Sequence, residues 1–342
     1  ALSVAESVRT GNFKFAILAG LASGFFVGGK YTGLIFAFSA GLTLLVQHRW
    51  LVSGISFSIA LLVAGGQWYA WNFVHSGDPI FPMLYGVLEY FNDSYWDAAH
   101  HATLQSVWAS EKALSLDFIS FLIYPFAATL ADLRALESSR TGFGPLALLM
   151  LPFALGGIWR FREKIITSRL TPIATIALIF YAVWFFSGSS QRLRHLLPIY
   201  PLLLICITVA AHKWAESRNF IKPLAGAVVV SGIIQFGGFG IFSVNYFTNL
   251  IRSESRESFL HRNVSQFAPV PWINKNLDKS NRLYVYSRQL IYYIDVPTHY
   301  GHFVDDALID IQLLKSDPKH VFEQLKTNNI SHILMIKQTN SS

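Results

Sequence analysis

The sequence predicts a membrane protein: an all-α polytopic bundle of about seven spans, followed by a C-terminal extracytoplasmic α/β domain. Three observations lead there. The 342 residues are 52% hydrophobic and 15% aromatic but only 14% charged, and the mean hydropathy is +0.39, too apolar for an ordinary soluble chain. The apolar residues fall in runs whose length approaches the roughly 20 needed to cross about 30 Å of hydrocarbon. From Arg252 onward charges become frequent and the pattern changes to alternating strands and helices.

The runs cover Phe13 to Gly29, Tyr31 to Val46, Leu51 to Trp68, Phe143 to Trp159, Leu170 to Ser187, Leu196 to Ala211 and Pro223 to Tyr246, the second and sixth being short for a span. With a cytoplasmic amino terminus, the cytoplasmic segments carry Arg9, Lys14, Arg49, Arg160, Arg162, Lys164, Arg169, Lys213, Arg218 and Lys222, against Lys30, Arg192 and Arg194 in the short outer loops. That asymmetry sets the orientation. Residues 1–246 are therefore expected to form the membrane domain, with an external loop over 69–142, and residues 247–342 an extracytoplasmic domain. The +7 formal charge serves topology in this reading, so nucleic acid is excluded as a partner. Cys206, the only cysteine, lies in an apolar run, which excludes a disulfide framework and a cysteine metal site.

Within the external loop, Trp71 to Pro82 contains Gly77, Asp78, Pro79 and Pro82, which call for turns. Leu84 to Tyr95 and Phe118 to Leu133 are aromatic and partly amphipathic stretches suited to the interface, the latter doubling as a candidate span. In the tail, Arg282 to Ser287 and Ser331 to Ile336 read as strands, and Asp305 to Lys315 and Pro318 to Thr327 as helices, a pattern for some parallel sheet.

Arginine is disfavoured on the outer side, yet Arg192 and Arg194 stand there together in Ser189-Ser-Gln-Arg-Leu-Arg-His-Leu-Leu-Pro198. Paired cations at an outer surface suggest an anionic ligand, and the planar guanidinium suits a phosphate. Lys30, at the end of a span, is either a snorkelling residue or a third phosphate contact. Every acidic residue between Glu6 and Glu163 is in the external loop: Asp78, Glu89, Asp93, Asp97, Glu111, Asp117, Asp132 and Glu137. An outer carboxylate base in this chain must come from that set. Asp78 before Pro79 is a candidate base or a turn residue, and Asp97 and His101, at i and i+4, are candidate divalent-metal ligands or a solvated polar face. The aromatics Trp68, Tyr69, Trp71, Tyr85, Tyr90, Tyr95 and Trp96 read as an interfacial belt before a sugar-stacking platform.

Three stretches in order, Gly28-Gly-Lys30-Tyr-Thr-Gly-Leu34, Ser76-Gly-Asp78-Pro-Ile-Phe-Pro82 and Arg192-Leu-Arg194-His-Leu-Leu-Pro198-Ile-Tyr-Pro201, resemble the polytopic C-type glycosyltransferases. That group includes the dolichyl-phosphate-mannose protein mannosyltransferases and the aminoarabinose transferases of lipid A. The resemblance extends to Val270 to Asn276 and Ile330 to Leu334 in the tail. It implies a multi-pass protein of a bacterial inner or plasma membrane, a polyprenyl-phosphate-linked sugar as donor, a protein or lipid acceptor, and inverting chemistry. Lys30, Arg192 and Arg194 would face the donor phosphate and stabilise the charge on the leaving group. The family's aspartate follows a first span, and no such arrangement precedes Phe13. The expectation is therefore an upstream portion of roughly four spans that holds the base, or a non-catalytic subunit that keeps this fold as a scaffold in a membrane complex. A transporter ranks last, because the spans carry no carboxylate.

Overall fold

The computed structural model describes residues 1–88, 90, 96–131, 144–187, 190–302, 306, 308–309, 311 and 316–335. The chain divides into two compact units, residues 1–94 with 105–240 and residues 95–104 with 241–342. The expected boundary at residue 246 thus moves to 240, and residues 95–104, expected in the outer loop of the first domain, join the second unit. The cause is visible in one helix: residues 221–252 run as a single α-helix, so backbone regularity hides the boundary.

The first unit is helical. In chain order it contains α1 (Leu2–Thr10), α2 (Phe13–Gly29), α3 (Thr32–Leu44) and α4 (Trp50–Ser76). Then follow α5 (Ala98–Ser110), whose first residues belong to the second unit, α6 (Phe118–Leu130), α7 (Leu146–Ile166), α8 (Leu170–Ser187), α9 (Tyr200–Ser217) and α10 (Ile221–Arg252). Each expected span meets one of these helices. Three are long and apolar enough to cross a membrane, namely α4, α8 and the Ile221–Ile241 stretch of α10, and α2, α3 and α6 are shorter apolar helices. Helices are the natural outcome of these runs, since a backbone in lipid must satisfy its own polar groups.

Small residues let α2 and α4 approach closely. A Cβ built on Gly24 would stand 2.6 Å from the Leu61 carbonyl, and one on Gly65 would stand 2.2 Å from the Gly24 carbonyl. Gly20 meets the Phe57 carbonyl at 2.3 Å in the same way, so the seam runs along one face of α2. Backbone contact of this kind supplies the dispersion that holds helices together where hydrophobic burial gives little. Gly157 of α7 repeats the device against Ala210 of α9, at 2.1 Å.

A first cluster gathers Val4, Ala16, Ala37, Ala40, Phe57 and Ile176 between α1, α2, α3, α4 and α8. A second joins Tyr124 and Ala128 of α6 to Phe180, Trp184 and Phe185 of α8 and to Leu193, Leu196 and Ile199. The α6 stretch, expected in the interface or as a span, is thus an apolar helix with a buried stripe, while Phe118, Ile119, Leu122 and Leu130 remain exposed on its other face. At the opposite end of α8, Glu6 accepts a hydrogen bond from Arg9 and forms an ion pair with Arg169, each at 2.7 Å, which ties α1 to the α7–α8 turn.

The second unit carries a three-stranded parallel sheet, β1 (Leu283–Val285), β2 (Thr298–Tyr300) and β3 (His332–Leu334), in the order β2-β1-β3. Leu283 and Val285 face a cluster with Leu260 of α11 (Arg256–Asn263), Val270 and Ile273 of α12 (Val270–Asn276), and Leu290. Tyr284, on the other face, packs with Val321 and Leu325 of α13 (Pro318–Thr327), as strand alternation requires. The α13 helix starts where the sequence predicts, with Asp317 accepting from the His320 N–H at 3.1 Å. Both expected strands are present, while β2 was not expected. The expected helix over Asp305 to Lys315 falls mostly outside the described residues; of those described, Asp306, Leu308 and Ile309 are not helical and Ile311 is in 3₁₀ conformation.

Candidate functional site

Loops of the first unit that the sequence assigns to one side are stitched by side chains far apart in sequence. Tyr31, next to Lys30, donates its hydroxyl to the Phe81 carbonyl at 2.7 Å, and Asn72 Nδ2 donates both to Tyr31 Oη at 3.1 Å and to the Pro79 carbonyl at 3.3 Å. Tyr69 adds a hydrogen bond to the Val27 carbonyl at 2.8 Å. The Lys30 loop and the Asp78–Pro82 turn, two of the three stretches of the family resemblance, therefore form one hydrogen-bonded assembly. Lys30 itself is exposed, and among the described residues it has no ion-pair partner.

Asp78 is fully buried within this assembly. Its carboxylate accepts from the Ile80 N–H at 2.8 Å, the Leu84 N–H at 3.0 Å and the Tyr90 hydroxyl at 2.7 Å. Of its two readings this geometry fits the turn residue, because the carboxylate is buried and three of its roughly four lone-pair sites are taken. Burial, then the hydrogen bond to Asp78 and its negative charge, push the Tyr90 phenol far above its ordinary value, which keeps it a donor. Asp78→Ala strands two backbone donors and a phenol, each costing about 1–3 kcal/mol if buried and unpaired. A thermal midpoint lowered by several degrees in detergent is the expected result, with Asp78→Asn, which keeps one acceptor oxygen, in between; an unchanged midpoint for alanine would remove Asp78 from this role.

The third stretch is organised by Gln191, which is 1% exposed. Its Oε1 accepts from the N–H groups of Ala113 and Leu114 at 3.0 and 2.8 Å, its Nε2 donates to the Leu114 carbonyl at 2.8 Å, and its own carbonyl accepts from Tyr124 Oη at 2.7 Å. The neighbouring Arg192 is held against Glu111 at 2.8 Å. Of the eight carboxylates expected in the outer loop, Glu111 is thus in contact with Arg192 of the candidate site. Arg194 is exposed in the short 3₁₀ helix Leu193–Leu196. The first turn of α3 supplies Ile35 and Phe36 to the cluster that contains Leu193 and Leu196, so the segments of Lys30 and Arg192 converge on one apolar cluster.

Below that 3₁₀ helix lies a cavity of about 300 Å³ between α6, α7, α8 and α9, lined by Pro125, Leu151, Tyr181, Leu196, Ile199 and Leu203 among others. Among the described residues no charged side chain lines it, and the hydroxyls of Thr129 and Tyr181 are turned to the carbonyls of Pro125 and Phe121. Such a space suits hydrocarbon.

The candidate metal pair behaves differently from its spacing. Asp97 lies just before α5 and accepts from both the backbone N–H and the ring of His100, each at 2.8 Å. His101 contributes its backbone N–H to the Asp97 carbonyl instead. Burial acts to raise the Asp97 carboxyl, but the His100 hydrogen bonds outweigh it and hold it below its usual range. No cluster of three or more His, Cys, Asp or Glu side chains occurs among the described residues. Asp117 caps α6 through the Ser120 N–H at 2.7 Å, and Glu89, Asp93, Asp132 and Glu137 lie outside the described residues. Sequence reasoning missed Tyr31, Asn72 and Gln191, although Tyr31 and Gln191 adjoin the cations it singled out. No family model, no curated protein and no solved structure matches this chain.

Proposed function

We propose that this chain belongs to a membrane transferase that moves a sugar from a polyprenyl-phosphate donor to an acceptor outside the cytoplasm, with inversion at the anomeric carbon. The observation that carries the reading is Arg192, fixed beside the buried Gln191 scaffold and one short turn of helix before a charge-free cavity. A cation above an apolar slot matches a ligand with an anionic head and a hydrocarbon tail. Arg192, Arg194 and Lys30 would neutralise the charge growing on the departing phosphate. Glu111 occupies Arg192 here, so the donor phosphate must displace it. Once displaced, Glu111 is this chain's own candidate to take the proton from the acceptor hydroxyl or amine.

The reading includes seven spans, a bacterial inner or plasma membrane, and an extracytoplasmic second unit. The joined pairs support a common sidedness: Glu6 with Arg169 links two segments of expected cytoplasmic location, and Tyr31 with Phe81 and Arg192 with Glu111 link segments of expected outer location. With Cys206 replaced, cysteines at Ser106 and Ser316 are expected to react with a membrane-impermeant thiol reagent in intact cells, and one at Thr167 to be protected. The reverse pattern would overturn the orientation.

A non-catalytic scaffold subunit is the second reading, favoured by the same two commitments, Arg192 to Glu111 and Asp78 to its turn. The assay that separates them supplies purified protein in lipid nanodiscs with polyprenyl-phosphate sugars and acceptor. Release of polyprenyl phosphate with an inverted glycoside supports the transferase. Donor binding without turnover supports the scaffold, and absence of donor binding contradicts the transferase and leaves the scaffold.

A further inference from the structure

The second unit holds a cavity that the donor site does not use. β1 is the central strand of the order β2-β1-β3. The chain leaves β1 toward one side to form β2, then crosses back through α13 to form β3 on the other side. In open parallel sheets such a reversal separates the loops at the carboxyl ends of adjacent strands, and the crevice between them is where ligands bind. The cavity is found at that position. It has a volume of about 260 Å³ and is lined by Tyr286 and Ser287 just after β1, Leu334 and Met335 at the end of β3, and Gln266 and Pro269 before α12.

Its chemistry narrows the ligand. Among the described residues no Lys, Arg, Asp or Glu lines it, so these residues offer a charged group no partner to offset its desolvation. It offers the Tyr286 ring, apolar surface from Leu334 and Met335, and two neutral polar groups, the Gln266 amide and the Ser287 hydroxyl. Among the described residues neither of these two side chains makes a hydrogen bond, and with Gln266 exposed and Ser287 half-buried both are open to a ligand arriving from water. Gln266 is also held at φ 64, in the left-handed region that residues with a Cβ seldom adopt and that gathers at ligand clamps. A ligand with one apolar face and neutral hydroxyls around its edge satisfies all of these groups at once. The volume lies just below the usual range for small-molecule pockets, room for one ring.

We infer that this crevice is a binding site for a single neutral sugar ring, which stacks on Tyr286 and hydrogen-bonds to Gln266 and Ser287. The inference stands on the second unit alone and not on the transferase reading.

The test uses the full chain in a detergent without a sugar headgroup and saturation-transfer NMR with glucose, N-acetylglucosamine and, as charged control, glucuronic acid. Transfer to at least one neutral sugar is expected, with affinity lowered about three- to tenfold in Ser287→Ala and in Gln266→Gly, the effect of one lost neutral hydrogen bond. Glycine accepts the positive φ, so Gln266→Gly removes the amide without straining the fold and decides the matter if Ser287→Ala does not fold. Polyprenyl phosphate added in excess should leave the sugar signal unchanged, which separates this crevice from the donor site. No transfer to either neutral sugar, equal transfer in both crevice variants, a preference for glucuronic acid, or displacement of the sugar by polyprenyl phosphate would each overturn the inference.

Discussion

Gly24→Leu is expected to prevent the first unit from folding. A Cβ at this position would meet the Leu61 carbonyl at 2.6 Å, the Ala64 Cβ at 2.7 Å and the Gly65 nitrogen at 3.2 Å. Two of those three are backbone atoms of α4 and cannot turn aside, so the helices must separate. Separation forfeits the dispersion along the whole Gly20 to Gly28 face, and dispersion falls steeply with a gap of even an ångström. Overpacking a core costs about 1–3 kcal/mol in ordinary cases, and a seam of backbone against backbone places this substitution at or beyond the upper end. Gly29→Leu is the control, since a Cβ there has nothing within 4 Å. Size-exclusion profiles and thermal midpoints in detergent should show an aggregated or strongly destabilised Gly24→Leu and a near-native Gly29→Leu. Equal stability of the two would mean that α2 and α4 do not touch as described.

Arg192→Ala should weaken polyprenyl-phosphate binding by about ten- to a hundredfold, the worth of a charge-assisted contact of roughly 1.5–3 kcal/mol. Lysine should restore only part of it, because a point charge lacks the two-pronged geometry of the guanidinium. The Glu111 contact adds a second, opposite expectation. With the carboxylate that now holds Arg192 at 2.8 Å replaced in Glu111→Gln, donor affinity should rise while turnover falls. An affinity gain together with retained turnover would confine Glu111 to gating. Because Arg192→Ala strands a carboxylate whose side chain is only 12% exposed, a thermal midpoint must accompany the binding data, and Arg192→Ala with Glu111→Gln serves as the relieved background.

Much of this arrangement can be read from the chain, for physical reasons that differ by element. The helices of the first unit follow from apolar runs because lipid leaves the backbone little alternative. The α2–α4 seam is written in Gly20-x-x-x-Gly24-x-x-x-Gly28, a pattern of helix contact that composition alone reads merely as a span. The cations and turns expected on the outer face are visible as residues out of place, whereas their partners are not. Tyr31 finds Phe81 50 positions away and Gln191 finds Leu114 77 positions away, distances at which no local pattern connects them. Asp97 shows the limit of spacing arguments: i and i+4 put His101 on its face, but the helix start gives its carboxylate to His100. β2, only three half-buried residues, is too short to leave a periodic signal. The unit boundary inside α10 is invisible because the helix crosses it without a break in regularity.

The central claim is that Lys30 and Arg192 serve one phosphate, and the most direct measurement is a double-mutant cycle on polyprenyl-phosphate affinity in nanodiscs, using Lys30→Ala, Arg192→Ala and the pair. The account predicts that each single change weakens binding and that the two losses are coupled, the pair costing less than their sum, as expected for groups that contact the same ligand atom cluster. Wild-type affinity in either single variant, with the fold intact, or losses that simply add in the pair, would contradict the claim.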